Sequence, residues 1–97
     1  MTDYILLMHR DADPDVDDTG WDASFGMLHA SGAFQGGSSI GDGICINKAG
    51  APPPISAQLG GFIRIAAPDL AAAKALVIGN PVYEAGGTIE IRELPKD

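Results

Sequence analysis

Ninety-seven residues with 45% apolar and 20% charged side chains describe one small globular domain, 1–97, and exclude a disordered chain. Thirteen acids against six bases give a net charge of −7. Six scattered bases cannot form the clustered basic patch that a nucleic-acid partner requires. A domain this small buries little more than about 60% of its unfolded surface, so a homodimer that covers further apolar area is expected.

Met1-Thr2-Asp3-Tyr4 carries no basic region and no apolar run of signal length, and later uncharged stretches are broken by Gly and Pro short of a membrane span. The expectation is a cytoplasmic protein that does not enter a membrane. Tyr4-Ile5-Leu6-Leu7-Met8 is a continuous apolar run, the pattern of a strand buried on both faces. An acidic stretch from Asp11 to Asp18 follows. Between Thr19 and Ser31, Trp21, Phe25 and Leu28 fall at i, i+4 and i+7, one stripe of an amphipathic helix. Thr19 is its expected N-cap, Asp22 suits the positive end of the helix dipole, and Gly32 suits the left-handed stop.

Ala33 to Gly43 reads as a glycine-rich, bulged strand with a hairpin turn, and Ile44-Cys45-Ile46 as a short strand after it. Pro52 to Pro54 cannot join a ladder and mark a loop. Phe62-Ile63-Arg64-Ile65-Ala66 reads as a strand, and Asp69 opens a second helix with Leu70, Ala73 and Val77 on one stripe. Gly79-Asn80-Pro81 ends that helix, and Thr88 to Leu94 alternates as a final strand. With the optional short strand, the order is β-α-β-(β)-β-α-β. Right-handed crossovers turn it into a ferredoxin-like βαββαβ α+β sandwich, an antiparallel sheet with two helices on one face.

Alternation sorts the side chains. Ile63, Ile65, Ile89 and Ile91 face the helices, while Phe62, Arg64 and Ala66 share the other face with Thr88, Glu90 and Arg92. The first strand is apolar on both faces. If Tyr4, Leu6 and Met8 joined Phe62 on the open face, the patch would call for a partner sheet.

Several residues carry chemistry. Asp11, Asp13, Asp15 and Asp22 stand at positions 1, 3, 5 and 12 of a calcium-loop window. Val16 occupies the position of the required Gly and Asp22 that of the bidentate Glu, so a solvated acidic loop with no metal is expected. Gly36 to Gly43 lacks the Lys of a phosphate loop. Cys45, the lone cysteine, forms no internal disulfide and reads as a packed thiol. Of the two histidines, His9 ends the first strand and is the candidate proton carrier, while His29 lies beside the helix stripe. Arg64, Glu90 and Arg92 share one sheet face, where an Arg–Glu bridge would leave one arginine to grip a carboxylate or enolate.

The segment Gln58-Leu59-Gly60-Gly61-Phe62-Ile63-Arg64-Ile65-Ala66-Ala67-Pro68-Asp69-Leu70 closely resembles the "QLGGFYLIDAPDLDEA" stretch of the YCII-related, or DGPF-domain, proteins. Gly86-Gly87-Thr88-Ile89-Glu90-Ile91-Arg92-Glu93-Leu94-Pro95 is similar to that family's close, and Tyr4 to Met8 and Ala30 to Gly37 also fit. The family tetrapeptide falls on Ala49-Gly50-Ala51-Pro52, which keeps only the glycine. The resemblance implies a dimeric α+β barrel, two ferredoxin-like sheets facing one another around a pocket. It also implies a His–Asp pair at positions that here fall near Trp21 and on Asn80. The resulting candidate site is His9 for proton transfer, with Arg64, Glu90, Arg92, Trp21 and Asn80 around a small anionic or aromatic metabolite. No metal or organic cofactor is expected. The alternatives are a cofactor-independent lyase or isomerase, and a non-catalytic dimeric interaction module.

Overall fold

The structure, a computed structural model, describes residues 1–13 and 20–96. The Thr19 cap and the Asp15 of the acidic window lie outside the described residues. Strand β1 (Thr2–His9) leads to helix α1 (Trp21–Ser31), then to β2 (Phe34–Ser39) and β3 (Leu59–Ala67). Two short helices, α2 (Leu70–Ala75) and α3 (Pro81–Glu84), precede β4 (Ile89–Leu94). The four strands form one antiparallel sheet in the order β2-β3-β1-β4. This is the ferredoxin-like α+β arrangement, in which β1 and β3 hold the centre and each half of the chain straddles a strand of the other.

Register settles which half of β1 faces the helices. Tyr4 pairs with Ile65, Leu6 lies between Ile63 and Ile91, and Met8 pairs with Ile89. Tyr4, Leu6, Met8, Ile63 and Ile65 form one buried cluster with Leu28 of α1 and with Ala73 and Val77, and the partly buried Ile89 and Ile91 pack against it. Tyr4, Leu6 and Met8 are therefore core, not members of the open face. The open face takes Ile5 and Leu7, paired with Arg64 and Phe62 on one side and with Arg92 and Glu90 on the other. A strand apolar on both faces offers no alternation to read, so only its neighbours decide.

The Trp21–Phe25–Leu28 stripe packs as its spacing predicts, with Leu28 fully buried and Gly32 closing α1 in the left-handed region. The bulge expected in the glycine-rich strand lies between Phe34 and Gly36, where the ladder to β3 slips. At Gly37 a Cβ would meet the Phe62 carbonyl oxygen at 2.6 Å, so β2 and β3 approach closely only because that position has no side chain.

Ile44-Cys45-Ile46 is not a strand. Ile44 and Ile46 are 85% and 83% exposed, and Cys45 is only partly covered. The tripeptide docks on neither edge strand of the sheet, β2 or β4, so it has no ladder whose hydrogen bonds would offset its ordering entropy. The second helix also differs. Asp69 caps it as expected, its Oδ1 accepting from Ala72 N at 2.8 Å, but regular helix stops at Ala75 and Leu70 is 52% exposed. Gly79 has a φ of +92°, and Asn80 with Pro81 then starts α3 instead of a loop. An Asx side chain followed by Pro is a helix start as well as a helix stop.

Candidate functional site

The site grows from the end of β1. Its ladder with β3 slips between Met8 and His9, and the His9 amide donates to the Thr88 carbonyl ahead of β4 at 3.0 Å. There the His9 imidazole meets Glu90, with Nε2 donating to Oε1 at 3.0 Å. The other carboxylate oxygen, Oε2, accepts from Arg92 Nη1 at 3.2 Å. The Arg–Glu bridge expected from alternation thus forms between Arg92 and Glu90, and the histidine joins it from the neighbouring strand. Hydrogen bonds from His9 and then from Arg92 hold the Glu90 carboxyl below its ordinary range.

A cavity of about 490 Å³ opens between α1 and the end of the sheet. Its lining combines Trp21 and Phe25 from α1 with Met8, Ile63, Ser39 and Arg10 at the end of the sheet. Trp21 stacks on Phe25 with ring centroids 5.6 Å apart, and Phe25 meets Phe34 edge-to-face at the same spacing. Arg10 is held by the backbone, with Nε donating to Leu59 O and Nη2 to Ile40 O. The cavity therefore joins aromatic surface to a cation and hydrogen-bonding groups, which suits a flat ring bearing oxygen substituents.

The remaining candidates lie apart. Arg64 is exposed on the open sheet face, where Nη2 donates to Gln35 O at the β2 bulge at 2.9 Å. Asn80 is 2% exposed. Its Oδ1 caps α3 by accepting from Val82 N and Tyr83 N, and its Nδ2 contacts Met8 Sδ at 3.7 Å. His29 is exposed and packs on Phe34, with ring centroids 4.6 Å apart. Asp11, the first residue of the calcium-like window, accepts from Thr88 N and Oγ1, bonds that lower its pKa. No group of three His, Cys, Asp or Glu side chains suited to a metal occurs among the described residues. No helix among them is long and apolar enough to cross a membrane.

The structure thus brings His9, Glu90 and Arg92 together, sets His9 and Trp21 on one cavity, and leaves Arg64 and Asn80 elsewhere. Arg10 and Phe25 are cavity residues that the sequence reading did not single out as site residues. Phe25 stood in plain view on the Trp21 stripe, whereas nothing local marks Arg10.

Among solved structures, the chain is similar to the 5-chloro-2-hydroxyhydroquinone dehydrochlorinase from Burkholderia phenoliruptrix AC1100, determined in complex with 2,5-dihydroxybenzoquinone. Identity is 17% and the TM-score 0.59, over 100% of this chain and 96% of that chain. At that identity the likeness is one of fold. No family profile matches the chain, and no curated protein does.

Proposed function

We propose that this chain binds a small, flat, oxygen-substituted ring compound, anionic when bound, in the cavity between α1 and the end of the sheet. One observation carries the reading: a space of about 490 Å³ lined by the stacked Trp21–Phe25 pair and by Arg10. Aromatic surface gains by stacking and exclusion of water, while the cationic rim selects negative oxygen. The fold neighbour's dihydroxylated quinone belongs to the same chemical class and supports the choice of ligand. The reading calls on side chains alone, with no metal or organic cofactor. The similarity of the 58–70 segment, together with the shared fold, supports placing the chain with the YCII-related proteins.

Trp21 is the chain's single tryptophan and lines the cavity, so its fluorescence reports occupancy directly. Titration with hydroxylated benzoates, nitrophenols and hydroxyquinones is expected to give a saturable change for at least one compound. A panel of such compounds that leaves Trp21 emission unchanged, in protein with a normal melting curve, overturns the proposal.

A second reading concerns the open sheet face. Ile5, Leu7, Phe62, Ala66 and Leu94 are all only partly buried there, and no helix among the described residues packs on that face. Two copies that meet through this face would form a homodimeric α+β barrel, with Arg64 and Arg92 turned into its lumen. Light scattering that gives a monomer at micromolar concentration overturns this second reading without touching the first.

A further inference from the structure

Residues paired across an antiparallel ladder share a face of the sheet. Gly61 pairs with Met8 and Gly37 with Ile63, so both glycines look toward the helices, as those two buried residues do. Both line the cavity, across from Trp21 and Phe25 of α1. At these two positions the sheet offers the cavity bare backbone. Gly37 stays exposed although it lies on the helix side of β2, so α1 does not close onto it.

The two glycines answer to different demands. At Gly37 a Cβ would strike the Phe62 carbonyl oxygen, so the approach of β2 to β3 itself requires glycine. The backbone makes no such demand at Gly61, whose φ is not positive. A Cβ there would first meet Met8 Cε at 3.0 Å, the free end of a flexible side chain. Next comes the Ser38 carbonyl oxygen at 3.2 Å, on an edge strand that can give by a few tenths of an ångström. Glycine inside a strand packs nothing and costs backbone entropy, and it marks places where another backbone or a ligand comes close. Gly37 is the first kind of place, and Gly61 fits the second.

Resting on the binding reading above, we infer that Gly61 is a specificity-determining residue of the cavity. Its missing side chain leaves room for a planar ring to lie with one face on the β3 backbone and the other toward Trp21 and Phe25. The site then selects aromatic rings over saturated rings that carry the same polar groups. A planar ring meets peptide and aromatic surfaces at van der Waals distance on both faces. A saturated ring of the same outline carries axial hydrogens, which thicken it and remove the stacking. Arg10, on the cavity wall, is left to meet a negative group at the edge of the ring.

The test compares 4-hydroxybenzoate with trans-4-hydroxycyclohexanecarboxylate, with Trp21 fluorescence as the readout. Where another benzoate of the panel binds more tightly, that benzoate and its ring-saturated counterpart are used. Wild type should bind the planar member at least about tenfold more tightly than the saturated one. Gly61→Ala should keep a cooperative melt and weaken binding of the planar ring about tenfold, the discrimination that one carbon gives in a packed pocket. Gly26→Ala is the control, because a Cβ at that position of α1 meets nothing within 4 Å, and it should leave both affinities unchanged. If Gly61→Ala does not fold, the two rings in wild type carry the test. Wild type that binds the saturated ring as tightly as the planar one overturns the inference and leaves the binding reading standing, as does folded Gly61→Ala with wild-type affinity for the planar ring. Trp21 emission that no compound of the wider panel changes overturns both.

Discussion

The Arg10 guanidinium donates from Nη2 to the Ile40 carbonyl at 2.9 Å and from Nε to the Leu59 carbonyl at 3.1 Å. Ile40 and Leu59 bracket the long loop between β2 and β3. One side chain therefore clasps both ends of that loop, and the Arg10 amide adds a bond to the Gln58 carbonyl at 2.6 Å. The clasp stands on the cavity wall, so the position of the loop and the shape of the site are linked through a single residue.

Arg10→Ala should release the loop. Two exposed hydrogen bonds from a charged donor are lost, a cost of about 1 kcal/mol after allowance for solvent competition. In a domain of this size that lowers the melting temperature by about 4–8 °C. Limited proteolysis should show faster cleavage between residues 41 and 58, where the chain is exposed and carries no regular structure. Unchanged cleavage kinetics would count against the clasp.

Acid should weaken the link between the end of β1 and β4. Asp11 accepts from Thr88 Oγ1 at 2.6 Å and from Thr88 N at 2.8 Å, and Glu90 accepts from His9 and Arg92. Both carboxyls are held below their ordinary values, chiefly by the Thr88 hydroxyl for Asp11 and by His9 for Glu90. A lowered folded-state pKa contributes stability that is fully present above the unfolded value, about 3.9 for Asp and 4.3 for Glu, and that fades as pH falls through the lowered one. Melting temperature followed from pH 6 downward should fall less steeply below about pH 4 in Asp11→Asn than in the wild type. An identical slope in the two proteins would argue against the Thr88 contact.

Leu28 is the one fully buried large residue of α1 and sits among Ile63, Ile65 and Leu6 in the core. Leu28→Ala should cost about 2–5 kcal/mol, from lost transfer energy and the cavity left behind. Its neighbour Met27 is largely exposed, and Met27→Ala should change stability by less than about 0.5 kcal/mol. Urea denaturation, with the slope held constant, distinguishes the two.

Asn80→Ala should destabilise the protein by about 1 kcal/mol, because the side chain that caps α3 at Val82 N and Tyr83 N is lost. Asn80→Asp keeps the accepting oxygen and should recover most of that stability. If ligand titrations through Trp21 are the same in both variants and the wild type, Asn80 acts through α3. A selective loss of binding in Asn80→Ala, with normal melting, would return it to the ligand site.

How much of this was legible in the sequence follows from the range of the forces involved. Side-chain alternation is local and assigned Ile63, Ile65, Ile89 and Ile91 to the helix face. Helical spacing did the same for Trp21, Phe25 and Leu28, and short-range side-chain-to-backbone bonding gave Asp69 as a cap. The Arg92–Glu90 bridge also follows from a separation of two on one strand. The face of β1, apolar on both sides, was not legible, and neither was the fate of Ile44-Cys45-Ile46, an apolar run that becomes a strand only if the chain brings it alongside a sheet edge. Tertiary structure alone decided that His9 meets Glu90 and that Arg10 reaches Ile40 and Leu59. Those contacts exist because the crossovers set β1 between β3 and β4, and nothing within a few residues of His9 or Arg10 records which strands will become its neighbours.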